Sequence, residues 1–166
     1  MASKDQSITW IKNPLAIFAE NAEGGVVIQG QEIIELIPQG QSPNSRIDET
    51  YDASDSVLLP GLINTHHHFY QTLTRAYPEA LNKELFPWLK SLYRVWANIQ
   101  PEMLAVSTEL ALSELLLSGC TTASDHHYLF PSQLESAIDI QVEEAKKLGM
   151  RVVLTRGSMS LGEKDG

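Results

Sequence analysis

The sequence predicts a mixed α/β chain. A small all-β segment over residues 1–58, read as a sheet or β-sandwich, precedes the first three strands and helices of a (β/α)8 TIM-type barrel over residues 59–166. Three observations carry this. Before residue 59 the apolar runs are short, β-branched and punctuated by turn residues. After Pro60-Gly61, strand-like runs alternate with helical periodicities, an order that calls for a parallel sheet with right-handed crossovers. Polar residues gather where those strands end, at His66-His67-His68, at Asp125-His126-His127-Tyr128 and at Arg156, which is where α/β barrels place their chemistry.

Each element has a local reason. Residues 8–18 are β-branched and aromatic and break at Asn13-Pro14, giving two short strands. Residues 25–37 read as a hairpin turning near Gln29-Gly30-Gln31. Pro38 to Asn44 is loop, and strand returns at Tyr51-Asp52 and Ser56–Leu59. Leu62–His67 is a short strand whose Leu62-Ile63 start reads as buried. In residues 83–98, Leu85, Trp88, Leu89, Leu92, Tyr93 and Trp96 recur at helical spacing, with Pro87 in the first turn.

The span 101–118 is the clearest helix, opened by Pro101 and capped by Gly119. Its many leucines suggest burial on more than one side. Cys120–Tyr128 is the next strand. Ser132-Gln-Leu-Glu135 has the pattern of a capping box and is expected to open a helix with Leu134, Ile138, Val142, Ala145 and Leu148 on one face. Met150–Thr155 is a third strand, and Gly162–Gly166 a polar turn.

Composition bounds the function. With 43% hydrophobic and 20% charged residues, the 166-residue chain can build a core. A net charge of −9 argues against a nucleic-acid backbone as partner. The single cysteine, Cys120, forms no disulfide within the chain and reads as packed rather than nucleophilic. The start, Met1 to Ser7, has no apolar run, and no stretch reaches the roughly 18 consecutive apolar residues of a membrane span. A cytoplasmic protein with no membrane partner is the expectation.

The organising stretch is Val57–Gln71. Side chains at i and i+2 on a strand share a face, so His66 and His68 point together and His67 points away. Two imidazoles on one stiff strand suit a divalent metal such as Zn²⁺, although adjacent histidines also occur as plain loop tracts. No Gly-x-Gly-x-x-Gly follows a strand, so a dinucleotide fold has no support.

Leu59-Pro-Gly-Leu-Ile-Asn-Thr-His-His-His68 resembles the Pro-Gly…His-x-His signature of the amidohydrolase superfamily. Four blocks are similar to its 8-oxoguanine deaminase and hydroxyatrazine (triazine) aminohydrolase group: His66–Ala76, Leu85–Tyr93, Leu115–Thr122 with Asp125–Tyr128, and Arg156–Gly162. The resemblance implies that His66 and His68 are metal ligands and that His67 is not. It implies that Gln71 hydrogen-bonds a heterocyclic small-molecule substrate, where the residue alone reads equally well as an exposed loop glutamine.

Trp96 is a candidate aromatic wall for a flat ring, or a core residue on spacing alone. For His127 and Tyr128, capping or support of the site is the reading, and for Arg156 a structural ion pair. No residue here is assigned as catalytic. The resemblance places two further histidines, an aspartate and an acidic proton shuttle on later strands. It thus makes this chain an N-terminal piece that is inactive alone, and it leaves open a homo-oligomer of the full-length protein. The activity it implies is deamination of an aminated purine, with triazine dechlorination or N-dealkylation, or a non-catalytic fragment, as alternatives.

Overall fold

The computed structural model describes residues 7–158. The Met1–Ser7 start, apart from Ser7, and the Gly162–Gly166 turn lie outside the described residues, as does most of the Arg156–Gly162 block. The chain divides into two compact units, the first ending at Pro60 and the second starting at Gly61.

In the first unit, β1 (Ile8–Lys12) pairs antiparallel with β3 (Gly25–Gln29) and parallel with β5 (Glu49–Asp52). A two-residue loop, Gly30-Gln31, joins β3 to β4 (Glu32–Ile37), giving the sheet order β4-β3-β1-β5. Asn13-Pro14 interrupts the first apolar run. The chain beyond it forms β2 (Ala16–Ile17), which pairs parallel with β6 (Val57–Leu58) in a separate ribbon. Glu35 on β4 accepts hydrogen bonds from the backbone N–H groups of Asn44 (2.9 Å) and Ser45 (2.7 Å), pinning the long loop to the sheet.

In the second unit, β7 (Leu62–His67), β8 (Cys120–His127) and β9 (Arg151–Arg156) form a parallel sheet in that order. Between β7 and β8 run a 3-10 turn at Phe69–Thr74, a second at Pro78–Ala80, and the helices α1 (Leu85–Trp96) and α2 (Pro101–Leu117). The helix α3 (Ala137–Leu148) connects β8 to β9. Pro101 sits in the first turn of α2, where a missing N–H costs nothing. Gly149 ends α3 at φ 69°, a left-handed conformation that glycine adopts without a Cβ clash.

Two apolar clusters hold this unit together. Tyr70, Leu92, Trp96, Leu104, Leu129 and Leu134 form one. Phe69, Leu112, Cys120, Ala123, Ala145 and Met150 belong to the other. The adjacent residues Phe69 and Tyr70 therefore enter different clusters, and the segment after His68 is anchored on both sides. Each fully buried ring contributes about 1.5–3 kcal/mol by burial.

Three expectations are corrected. The helix α2 buries one stripe, Leu104, Ser107, Thr108, Ala111 and Leu112, while Met103, Val106, Leu110 and Leu117 stay exposed. Its neighbours α3, β8 and the 3-10 turn cover one face only. Leu62 and Ile63 are 58% and 68% exposed, because β7 is an outer strand of its sheet and Ile63 pairs with Thr122 on the face the helices leave open.

The third correction concerns Ser132–Glu135, which forms no capping box. Turn bonds from Leu134 N to Pro131 O (2.8 Å) and from Ala137 N to Leu134 O (3.1 Å) fix the buried Leu134. Gln133 Nε2 donates to the carbonyls of Ala97 and Ile99, and α3 begins only at Ala137. Its buried face centres on Gln141 rather than on Ile138 and Val142.

The register between β7 and β8 shifts twice. Leu62 pairs with Cys120 but Ile63 with Thr122, so β8 carries one additional residue, Thr121, at that point. Asn64 pairs with Ala123 but His67 with Asp125, so β7 carries one additional residue there. The second shift undoes the first. Thr121 projects to where a Cβ on Gly61 would lie, with its Oγ1 at 2.2 Å from that position, and only glycine fits.

Candidate metal centre

The second shift decides where the histidines point. Paired residues of neighbouring strands share a face, so His67, opposite the fully buried Asp125, lies on the helix-covered side. His66 and His68 lie on the open side. A backbone irregularity of this kind leaves an amide without a ladder partner. Here the amide N–H of His66 donates to Asn64 Oδ1 at 3.0 Å.

The two rings converge. His66 Nε2 and His68 Nε2 are 3.3 Å apart. Two imidazole nitrogens on a tetrahedral Zn²⁺, at 2.0–2.1 Å from it, stand about 3.3–3.4 Å apart. His68 Nδ1 lies 2.7 Å from the His126 carbonyl, which can only accept, so Nδ1 carries the hydrogen and Nε2 presents its lone pair. Burial lowers the His68 pKa, the hydrogen bond to His126 opposes this, and the neighbouring His66 and His126 lower it further. His66 stacks on His126, with ring centroids 4.7 Å apart. These donors fit a divalent cation, although among the described residues no group of three or more His, Cys, Asp or Glu side chains is arranged to hold one.

A cavity of about 420 Å³ opens beside the pair and around the edge of β7, with His66, His67, His68, Gln71, Thr74, Arg75 and Trp88 among the residues that line it. Gln71 is therefore brought to the imidazoles. Trp96 is not. It is fully buried, its Nε1–H donates to Thr74 Oγ1 at 3.0 Å, and it packs edge-on against Tyr70 and Trp88. The aromatic residue at the cavity is Trp88, and Trp96 stands behind it. Arg75 forms a two-pronged ion pair with Glu114 of α2. Half-buried His67 has its pKa lowered by burial first, then by His68 and Arg75.

The residues that end β8 split by strand alternation. Asp125 and His127 are buried under the helices, whereas His126 faces the open side. His127 Nε2–H donates to the Leu129 carbonyl at 2.7 Å, so this ring holds the segment that follows β8. Asp125 Oδ1 accepts from the amide of Phe69 and Oδ2 from Gln141 Nε2, both at 2.7 Å, and burial pushes its carboxyl up to about 6. Arg156 lies over the Phe130 ring at 4.3 Å and makes no ion pair among the described residues. Cys120 is buried, with Sγ near the Thr122 carbonyl. Sequence reasoning did not single out His126 from its neighbours at the end of β8, and it passed over Trp88 at the cavity and Gln141 behind Asp125. The period-two rule applied to β8 would have found the first, since it separates His126 from Asp125 and His127.

Residues 57–166 match the profile of the amidohydrolase family. The chain belongs to the amidohydrolase family.

Among its relatives, the 8-oxoguanine deaminase of Pseudomonas aeruginosa is 61% identical over 163 residues, covering 96% of this chain and 36% of the relative. Hydroxydechloroatrazine ethylaminohydrolase of a Pseudomonas species is 36% identical over 121 residues, 71% of this chain and 25% of the relative. The crystal structure of an atrazine chlorohydrolase from Arthrobacter aurescens, complexed with zinc, superposes with a TM-score of 0.80 at 28% identity. That match covers 95% of this chain and 37% of the other. This amidohydrolase chain thus spans about a third of the length of the curated relative to which it is 61% identical. No described helix is long and apolar enough to cross a membrane.

Proposed function

We propose that the complete protein is a metal-dependent aminohydrolase that deaminates an aminated purine-type heterocycle, 8-oxoguanine in the first place, to urate and ammonia. The observation that carries this reading is the 3.3 Å approach of His66 Nε2 and His68 Nε2, with the His68 ring held by the His126 carbonyl. The substrate class rests on the 61% identity to a deaminase of that name. The barrel reading, with a β-sandwich segment over 1–58 and the opening strands of a (β/α)8 barrel over 59–166, rests on the parallel order β7-β8-β9 and on the triazine hydrolase neighbours.

His66 and His68 would hold the cation, and Zn²⁺ is the proposed ion because a neighbouring structure is a zinc complex. When bound, such an ion supplies Lewis acidity and activates water as a nucleophile near neutral pH. Gln71, on the 3-10 turn and in the same cavity, offers one donor group and one acceptor to the edge of the ring and orients it. Trp88 presents an aromatic surface to a flat heterocycle. Thr74 ties that turn to Trp96, which keeps the cavity wall from shifting. A cytoplasmic location and a homo-oligomeric assembly are part of the same proposal.

The test is made on the complete protein. His66→Ala and His68→Ala are each expected to lose tightly held metal and ammonia release from 8-oxoguanine. Unchanged metal content in both variants would refute the assignment. Chloride or alkylamine release from triazines, with no ammonia from purines, would move the substrate to the triazine class.

A further inference from the structure

We infer that Asp125 is a positioning residue for the metal pair. Through one carboxylate it fixes the peptide that follows His68, and it is itself fixed by Gln141 of α3. The inference rests on reading His66 and His68 as ligands.

The geometry is specific. His68 is the cap residue of the 3-10 turn Phe69–Thr74, and no cap hydrogen bond comes from its own side chain. The first amide of that turn, Phe69 N–H, instead donates to Asp125 Oδ1 from 56 residues away. Asp125 thus does what a local serine or asparagine does at a helix start. The next residue on β8, His126, accepts the His68 Nδ1 hydrogen on its carbonyl. Two consecutive residues of β8 therefore hold the two halves of one ligand, Asp125 its backbone and His126 its ring.

Asp125 has no slack. It is fully buried, and its second oxygen takes the Gln141 amide. Its main-chain carbonyl accepts from Thr155 Oγ1 on β9 at 3.1 Å. Gln141 is also fully buried, and among the described residues its Oε1 has no hydrogen-bond partner. A buried carboxylate and a buried amide under two helices are costly unless each bond is used. Residues that orient metal-bound histidines from behind typically change metal affinity by roughly 10- to 100-fold when removed.

The unpartnered Oε1 supplies a discriminating variant. In Asp125→Asn, Oδ1 still accepts the Phe69 N–H. The new amide donates to Gln141 Oε1 after that side chain flips, so the clamp survives without the charge. In Asp125→Ala both bonds vanish.

The experiment measures Zn²⁺ affinity of the complete protein by chelator competition, with thermal unfolding of the metal-free form alongside. Asp125→Ala is expected to weaken Zn²⁺ by roughly 10- to 100-fold, and Asp125→Asn to stay within about threefold of the parent. Leu134→Ala, in the other apolar cluster, is the stability control and is expected to lower the unfolding temperature without changing affinity. A folded Asp125→Ala with parental affinity overturns the inference, as does an Asp125→Asn that falls equally far.

Should Asp125→Ala not fold, Gln141→Leu carries the test, since it frees Oδ2 while sparing the Phe69 bond. A loss of about threefold or more supports the clamp, and a smaller change overturns it. His66→Ala and His68→Ala run in parallel. If those two leave metal binding intact, the ligand reading has failed. If they abolish it while the Asp125 variants do nothing, only the present inference has.

Discussion

Replacing Gly61 by alanine tests whether the shifted register of β7 and β8 depends on one missing methyl group. A Cβ at Gly61 would lie 2.2 Å from Thr121 Oγ1, 2.4 Å from Cγ2 and 2.8 Å from Cβ. Rotation of Thr121 about χ1 can move Oγ1 and Cγ2 but cannot move Cβ. The two backbones must then part by about 0.6 Å to reach an ordinary 3.4 Å contact. Gly61 does not have a positive φ, so alanine suits its backbone and the whole effect comes from contact.

Overpacking of this kind costs about 1–3 kcal/mol. Thr121→Ala in the same background is expected to recover part of the loss, and Thr121→Gly most of it. Urea unfolding of Gly61→Ala, Thr121→Gly, the double variant and the parent gives the coupling, expected to be at least about 1 kcal/mol. A parental midpoint for Gly61→Ala, or simple additivity across the cycle, would refute the reasoning.

Two further outcomes are expected. Trp96→Phe keeps the aromatic packing and removes the hydrogen bond to Thr74, so it should cost about 1 kcal/mol in urea unfolding while metal content stays parental. Loss of metal in that variant would place Trp96 at the centre itself. Hydrogen bonds from Ser45 and Asn44 hold the Glu35 carboxyl below its usual range. A depressed pKa means that the loop restraint is present above the unfolded value of about 4.3 and is lost as pH falls through the folded one. Carbonyl carbon shifts followed by NMR should show Glu35 titrating below the ordinary glutamate midpoint, and a midpoint at or above it would contradict the bonding.

Local signals in the sequence located the elements well. Asn13-Pro14, Gly30 and Pro60-Gly61 mark breaks because their backbone preferences act within a few residues, and β7 occupies the predicted Leu62–His67. The convergence of His66 and His68 was also legible, since it needs only one extended residue, His67, between them.

What the sequence hid were properties of pairs distant along it. Nothing in Leu62-Ile63 reveals which strand will be outermost. Nothing in Gln141 reveals that a polar residue will take the buried centre of α3, because its partner Asp125 lies 16 positions earlier. Ser132–Glu135 has the right letters for a helix start, but burial of Leu134 and the reach of Gln133 to the end of α1 outweigh them. Trp88 and Trp96 share a helical face, and only packing around Tyr70 decides which indole is enclosed.

The two opposed register shifts also set the terms for transplanting this histidine pair to another scaffold. A regular parallel strand bearing His-x-His would aim both rings alike. With only one of the two shifts copied, its neighbour would be one position out of step, and a different carbonyl would face the second imidazole. A graft faithful to the chemistry must copy Thr121 and its vacant companion at Gly61 together with the surplus residue before His67, because either shift without the other breaks the alignment of Asp125 and His126 with His68.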